Sequence, residues 1–127
     1  MRRELEIGAE SMKALKKRGV RVLPGGDYGF AWNPIGTNAR DLEHFVKLLD
    51  FTPLEAIAAA TKSGGELMGM DVGLVKEGYL ADLILVDGDP VKDIAVLQDA
   101  GRLSAIMKDG AFHKAPSGAP AAGSVAA

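Results

Sequence analysis

The hydrophobic residues of the N-terminal part recur at helical spacing and then change to a β pattern. Residues 3–17 carry widely spaced apolar positions among charges, and Gly19 lies just beyond the three cations that end this helix. The apolar stretch 20–23 has β character and stops at Pro24-Gly25-Gly26. This pattern predicts a helix followed almost at once by a short strand, with a loop at residues 28–37.

Two further helices are predicted before residue 70. The second begins at Asn38 and has a wide apolar face that includes Phe45. The third begins at Thr52-Pro53-Leu54-Glu55, because a capping threonine, a proline at the first helical position and a glutamate at the third form a helix start. Gly64-Gly65 is expected to weaken or kink this helix, and Gly69 to end it.

After Met70 the pattern changes to short runs that are β-branched or alternating. These runs predict strands at residues 72–75, 83–86, 104–108 and 111–114, and Asp109-Gly110 between the last two is a two-residue hairpin signal. The chain is therefore expected to be α/β, with helices first and a small antiparallel sheet after them. Residues 115–127 are mostly alanine, glycine, proline and serine, which predicts a disordered tail.

Length and composition limit the possible folds and partners of this 127-residue chain. A complete eight-stranded α/β barrel takes roughly 250 residues, so only part of one would fit. The formal net charge of −2 gives no reason to expect nucleic acid or an anionic membrane as a partner. The absence of cysteine excludes disulfides and thiolate metal sites, and no apolar run approaches the roughly 20 residues that span a bilayer. We expect a cytoplasmic protein.

Asp27 is the strongest candidate for chemistry. It follows the predicted strand 20–23 in a glycine-rich loop, and α/β barrels place catalytic groups at the ends of their strands. One carboxylate is expected to be a single ligand of a larger site, and the only histidines are His44 and His113, without a two-histidine metal motif. The sequence is therefore expected to be the second part of an enzyme. The alternative is that Asp27 only caps the turn after Gly25-Gly26.

The loop after Asp27 supplies further candidates. Tyr28, Phe30 and Trp32 are expected either to line a pocket for an apolar or aromatic substrate or to pack the loop onto its surroundings. Asn38 and Arg40 have the chemistry to orient a substrate, while a helix cap and a surface charge are the structural alternatives.

Four other polar features are interpreted as structural. His44, between Glu43 and Phe45 on a predicted helix, and His113 in the hairpin are expected to be surface histidines. Asp82 is expected to make a turn hydrogen bond at a strand entrance. Asp87-Gly88-Asp89-Pro90 lacks the alternating ligands and closing glutamate of a calcium loop, so it is expected to be a turn.

Several motifs occur in an order that resembles a known family. They are Leu23-Pro-Gly-Gly-Asp27, Gly36-Thr-Asn-Ala-Arg-Asp-Leu42, Thr52-Pro-Leu-Glu-Ala-Ile-Ala-Ala-Ala-Thr61, Gly73-Leu-Val-Lys-Glu-Gly-Tyr-Leu-Ala-Asp-Leu-Ile-Leu-Val86 and Gly88-Asp-Pro90. Together they resemble the C-terminal end of the metal-dependent amidohydrolase superfamily, in particular its imidazolonepropionase-like and prolidase-like branch. The likeness covers nearly all of residues 1–114.

This resemblance implies a fold. Residues 1–70 would be the C-terminal segment of a TIM-like (β/α)8 barrel, with the seventh helix at the N-terminus, the eighth strand at 20–23, and the eighth helix and an added helix at 38–68. Residues 71–114 would be strands of a small β-sandwich that the family builds from both chain ends, followed by the tail at 115–127.

The resemblance also implies an activity. The family's aspartate after the eighth strand lies beside one or two divalent metals, most often zinc, and takes the proton from the hydrolytic water; Asp27 occupies the matching position. The substrate would be a small molecule with an amide-type C–N bond. The family's His-x-His pair, bridging residue and later histidines have no positions here, and Ile35 stands where many relatives carry a histidine before Gly36.

A second hypothesis follows from these missing ligands. The chain would be inactive alone and would serve as an oligomerisation or interaction module. Its partner would be the missing N-terminal portion or another copy of the chain, covering an apolar face formed by Val20, Val22, Phe45 and Leu49.

Overall fold

Four helices precede a three-stranded sheet in the computed structural model, which describes residues 2–118. The helices are α1 (Arg2–Lys17), α2 (Arg40–Leu48), α3 (Pro53–Ala60) and α4 (Lys62–Met68), and the strands are β1 (Leu83–Val86), β2 (Leu103–Lys108) and β3 (Ala111–Lys114). Two 3-10 helices, Ile94–Gln98 and Ala100–Arg102, connect β1 to β2. The chain is α/β, as its pattern predicts. Most of the expected disordered tail, residues 119–127, lies outside the described residues.

The start of α3 confirms the predicted capping box. The Thr52 hydroxyl accepts a hydrogen bond from the Glu55 amide at 3.2 Å, and the Glu55 carboxylate accepts one from the Thr52 amide at 2.9 Å. Lys16 at the end of α1 donates to the same carboxylate at 2.8 Å and to the Asp50 carbonyl at 2.7 Å. These bonds fix the end of α1 to the start of α3.

The predicted start of α2 at Asn38 is wrong by two residues. The helix begins at Arg40, and its first turn has no side-chain cap. The Asn38 side chain instead accepts a hydrogen bond from the Gly36 amide at 3.1 Å. Main-chain bonds from Arg40 to Thr37 and from Asp41 to Asn38 make the turn into the helix. The side chain of Asn38 is occupied by the preceding loop, so it cannot cap α2.

The helical break does not lie at Gly64-Gly65 as expected. The chain breaks at Thr61, between α3 and α4, and Gly69 ends α4 in the left-handed conformation. A Cβ at Gly65 would lie 2.3 Å from the Val72 carbonyl oxygen, and one at Gly73 would lie 2.2 Å from the Thr61 carbonyl oxygen. The glycines therefore allow the returning chain to cross the α3–α4 corner in main-chain contact.

Two predicted strands do not form. Residues 20–23 have no regular secondary structure, and residues 72–75 form bends around Gly73. A strand is stable only when a neighbouring strand satisfies its amides and carbonyls. Within residues 2–118 neither stretch pairs with another segment as a strand. Apolar, β-branched composition was therefore not sufficient to form a strand at these positions.

The core lies between α2 and α3. Phe45, Ala56 and Ala59 are buried, and the Phe45 and Phe51 rings pack at 4.9 Å between centroids. Val22 and Leu49 are half-buried against this cluster. The apolar face proposed from the sequence is thus partly covered within the chain, and Val22, Phe45 and Leu49 also border an open groove beside α1. Val20 alone of those four is exposed, at 48%.

The three strands form an antiparallel sheet in the order β1-β2-β3. Asp109 and Gly110 both have positive φ, 50° and 78°, which is the geometry of the predicted two-residue hairpin. The Asp82 carboxylate, at the entrance of β1, accepts hydrogen bonds from the Asp109 amide at 2.7 Å and from Lys108. These bonds lower the pKa of Asp82 and tie the hairpin turn to β1. Asp89 accepts a bond from the Val91 amide, as expected for a turn.

Apolar side chains are more often exposed than buried among the described residues. Only five hydrophobic residues are buried: Phe45, Ala56, Ala59, Ile94 and Ala105. Exposed large ones lie on α1, on α4 and along β1, and include Leu5, Ile7, Leu67, Met68, Ile84 and Leu85. None of the helices within residues 2–118 has both the length and the apolar character to cross a bilayer.

Candidate functional site

Asp27 lies in an irregular loop between α1 and α2, with its backbone in the left-handed region. Its φ is 50°, a conformation in which aspartate and asparagine are several-fold enriched among residues with a side chain. The side chain is exposed, and within residues 2–118 its carboxylate forms no hydrogen bond or ion pair. The carboxylate is therefore available to a ligand, and it does not cap the turn of Gly25-Gly26.

Asn33 holds this loop in place. Its side-chain amide donates to the carbonyl oxygens of Gly26 and Asp27, the latter at 3.3 Å. Its main-chain carbonyl accepts from the Gly29 amide at 2.9 Å. The Arg40 guanidinium, half-buried at the start of α2, donates to the Asn33 side-chain oxygen. Arg40 therefore supports the loop that carries Asp27.

The role of Asn33 is absent from the sequence prediction. Asn33-Pro34 has the composition of a turn, but nothing local indicates that the side chain reaches back seven residues. Only the approach of α2 to the loop places Arg40 against it. Arg40 was expected to be a surface charge or a substrate-orienting group. In the structure its guanidinium instead donates a hydrogen bond to the Asn33 side chain.

Tyr28 makes a second contact between the loop and α2. Its hydroxyl donates to the Asp41 carboxylate at 2.7 Å. Burial and this hydrogen bond raise the pKa of Tyr28, so the phenol stays protonated as a donor at neutral pH. A Cβ at Gly26 would lie 2.6 Å from the Tyr28 ring and 2.8 Å from the Asp41 carboxylate, so an alanine here would require these side chains to shift. Tyr28 therefore contacts α2, apart from the other two aromatic residues of the loop.

Phe30 and Trp32 lie on the exposed side of the loop. The Asn33 amide donates to the Phe30 carbonyl at 2.9 Å, which closes a turn with Ala31 and Trp32 at its centre. The two rings stack, with centroids 5.3 Å apart and an interplanar angle of 8°. The side chain of Trp32 is 79% exposed. This pair presents an aromatic surface in the same loop as Asp27.

The remaining candidates lie elsewhere on the surface. Asn38 is exposed, and so are His44 on α2 and His113 on β3. Within the described residues no group of three or more histidine, aspartate or glutamate side chains is arranged to hold a metal ion. Asp27 shares its loop with Phe30 and Trp32, while His44 lies on α2 and His113 on β3.

Two grooves flank the loop. One, of about 420 Å³, lies between α1, residues 22–26 and α2, and it is lined mainly by apolar side chains together with Asp41 and His44. The other, of about 280 Å³, is bordered by Pro24, Tyr28 and Asn38. Asp27 lines neither of these grooves.

Comparison with known proteins identifies the family. The sequence profile of the Amidohydrolase family matches residues 2–112. The chain belongs to the amidohydrolase family. The likeness to imidazolonepropionases and prolidases inferred from the ordered motifs is confirmed.

Individual amidohydrolases match over most of this chain. It is 35% identical to ochratoxinase of Aspergillus niger over 103 residues, which are 79% of this chain and 21% of the relative. It is 27% identical to imidazolonepropionase of Alteromonas mediterranea, over 83% of this chain and 25% of the relative. The crystal structure of A. niger ochratoxinase superposes with a TM-score of 0.77 at 31% identity, covering 86% of this chain and 25% of that one.

A dipeptidase structure is also similar. A Xaa-Pro dipeptidase with bound methionine in the active site superposes with a TM-score of 0.74 at 29% identity, over 84% of this chain and 25% of that one. The chain thus spans about a fifth to a quarter of the length of the relatives it matches.

Proposed function

We propose that this chain is the C-terminal part of a metal-dependent amidohydrolase that cleaves a non-peptide or dipeptide-like C–N bond of a small molecule. The observation that carries the proposal is the placement of Asp27. A member of the amidohydrolase family holds an exposed carboxylate, unpaired within residues 2–118, in a left-handed loop position, and the side chains of Asn33 and Tyr28 both fix that loop.

The proposed architecture is the end of a TIM-like barrel in residues 1–70 followed by sandwich strands in residues 71–114. Residues 20–23 would become the last barrel strand once neighbouring strands lie beside them. The exposed apolar side chains of α1, α4 and β1 support this proposal, because such surfaces are normally covered. The covering partner would be the N-terminal portion of the enzyme.

Residues 2–118 do not form a complete binding site for a divalent metal by themselves. A catalytic zinc site usually has three protein ligands, and within residues 2–118 no three histidine, aspartate or glutamate side chains are grouped to hold an ion. In the proposed enzyme, Asp27 would be the metal-site aspartate, with the other ligands supplied by segments beyond this chain and zinc as the proposed ion. Its own task would be to accept the proton of the attacking water, which is the work of a general base.

The second candidate function is an inactive oligomerisation or interaction module. The observation that favours it is the number of exposed apolar residues on α1 and β1, compared with five buried hydrophobic residues within residues 2–118. The partner would be another copy of the chain. In this case Asp27 would be a surface residue without a ligand.

A metal and activity measurement on an Asp27 variant separates the two functions. The protein would be expressed at the full length that its gene encodes, and its bound metal and its turnover of amides, cyclic amides, carbamates and dipeptides would be measured. Asp27→Asn is the suitable variant, because asparagine also tolerates the left-handed conformation. We expect it to lower turnover by about 100- to 10,000-fold, as for loss of a general base.

The matched control is Asp109→Asn. Asp109 is also exposed and also has a φ of 50°, but it lies in the distant hairpin. Asp109→Asn should leave metal content and turnover unchanged. A metal-free symmetric oligomer without turnover would contradict the hydrolase proposal and support the module.

A further inference from the structure

We propose that Phe30 and Trp32 form a platform that binds the planar aromatic ring of an amide substrate next to Asp27. The inference rests on the proposed function, since it names the substrate class of the same site. It departs from the alternative in which the aromatic residues only pack the loop against its surroundings.

The first argument is the contrast with Tyr28. Tyr28 directs its hydroxyl to Asp41 and contacts α2, so it has a structural explanation inside the chain. Phe30 and Trp32 contact each other, and within the described residues Trp32 keeps 79% of its surface exposed. An exposed tryptophan that is stacked on only one face has its other face available to a third ring.

The second argument is rigidity. The turn from Phe30 to Asn33 is closed by two main-chain bonds, Gly29 to Asn33 and Asn33 to Phe30, both of 2.9 Å. The Asn33 side chain then joins this turn to the carbonyl of Asp27 at 3.3 Å. The platform and the carboxylate therefore belong to one hydrogen-bonded loop. A ring bound on the platform is held at a fixed position relative to Asp27, which favours catalysis by positioning.

The third argument is selectivity. Aromatic rings prefer parallel offset stacking at centroid distances of roughly 4.5–7 Å, and the Phe30–Trp32 pair already has this arrangement. A ligand ring would extend the stack. A saturated ring of similar size buries similar apolar area but lacks the π-face. The platform should therefore prefer the aromatic ligand by about three- to ten-fold, which is the range expected for a stacked pair.

Trp32 provides a direct measurement, because it is the only tryptophan of the 127 residues. Its fluorescence would be followed while the chain is titrated with N-acetylphenylalanine amide and, separately, with N-acetylcyclohexylalanine amide. We expect a saturable fluorescence change with the preference stated above. In the double variant Phe30→Leu, Trp32→Leu, which removes both rings of the platform and is followed by titration calorimetry, the preference should disappear.

Phe112→Leu is the control, because it removes an exposed aromatic ring, 47% exposed on β3, that is not part of the platform. It should leave the preference unchanged. Equal affinity for the two amides, no saturable change, or a preference that survives the loss of both platform rings would each overturn the inference.

The test is independent of the hydrolase test. Asp27→Asn leaves the platform intact, so aromatic selectivity in a protein without metal or turnover would support the platform and reject the catalytic proposal. Metal-dependent turnover with no aromatic selectivity would reject the platform alone.

Discussion

Asn33 supports Asp27 through the main chain: its side-chain amide donates to the Asp27 carbonyl oxygen at 3.3 Å and to that of the preceding Gly26. The carboxylate of Asp27 takes no part in this contact. The loop is therefore held by a residue other than the one proposed to react. This separation allows the stability of the loop and its chemistry to be tested by different substitutions.

Asn33→Ala should destabilise the chain by about 1–3 kcal/mol. The change removes the donor to two carbonyls and leaves the half-buried Arg40 without its acceptor. Urea unfolding measures the loss. Asn38→Ala is the control, since Asn38 is exposed and accepts one bond from Gly36, and it should cost less than about 1 kcal/mol. Equal losses in the two variants would show that Asn33 does not hold the loop.

Gly73→Ala should be far more damaging than Gly78→Ala. The two glycines have nearly the same positive φ, 81° and 82°, but a Cβ at Gly73 would meet the Thr61 carbonyl at 2.2 Å while one at Gly78 meets nothing within 4 Å. Gly78→Ala should therefore cost only the conformational penalty of about 1–2 kcal/mol. Gly73→Ala should exceed it by about 1–3 kcal/mol of overpacking. Denaturation of both variants would reveal the difference, and its absence would mean that the α3–α4 corner relaxes freely.

The neighbouring glycines of α4 should respond with opposite sign. Gly64→Ala introduces a methyl group into open space and improves helix propensity, so it should stabilise the chain by about 0.5–1 kcal/mol. Gly65→Ala places its Cβ 2.3 Å from the Val72 carbonyl and should destabilise it. Thermal unfolding of the two single variants tests both signs. If both variants were more stable than the parent chain, the Val72 carbonyl would have to lie farther from α4 than in the structure.

Acid should weaken the junction of α1 and α3. The hydrogen bond from Lys16, with that from the Thr52 amide, holds the pKa of Glu55 below its ordinary value of 4.5. A carboxylate with a depressed pKa stabilises the folded chain above that ordinary value, and the contribution is lost as the pH falls through the folded-state pKa. The urea midpoint should therefore drop as the pH falls below 4.5, and less steeply in Glu55→Gln.

The control for this acid response is Glu77→Gln, which removes an exposed glutamate outside the helices. It should retain the steep acid response of the parent chain. An identical pH dependence in Glu55→Gln and Glu77→Gln would contradict the role assigned to Glu55.

Features set by adjacent residues were predictable from the sequence. The capping box at Thr52, the Asp109-Gly110 hairpin and the left-handed end at Gly69 each depend on chemistry within four residues, and all three are formed. The ordered motifs also gave the family correctly.

Features set by distant contacts were not predictable in the same way. The stretch 20–23 has strand composition, but a strand also needs a partner, and composition carries no information on one. The bond from Arg40 to Asn33 and the main-chain contact at Gly73 exist only because two elements meet in space. At the candidate site, residue types indicated Asp27, while the support from Asn33 required coordinates.

Lys16 fixes the C-terminal end of α1 to the residues that precede and begin α3. The bonds described from this helix to Asp50 and Glu55 begin in its last turns, while none of its 16 residues is buried. At 1.5 Å per residue such a helix is roughly 24 Å long, so tilting it by about 10° about that end would swing its first residue by about 4 Å. Such a tilt would change the width of the 420 Å³ groove that α1 borders, and amide exchange should slow from Arg2 towards Lys17.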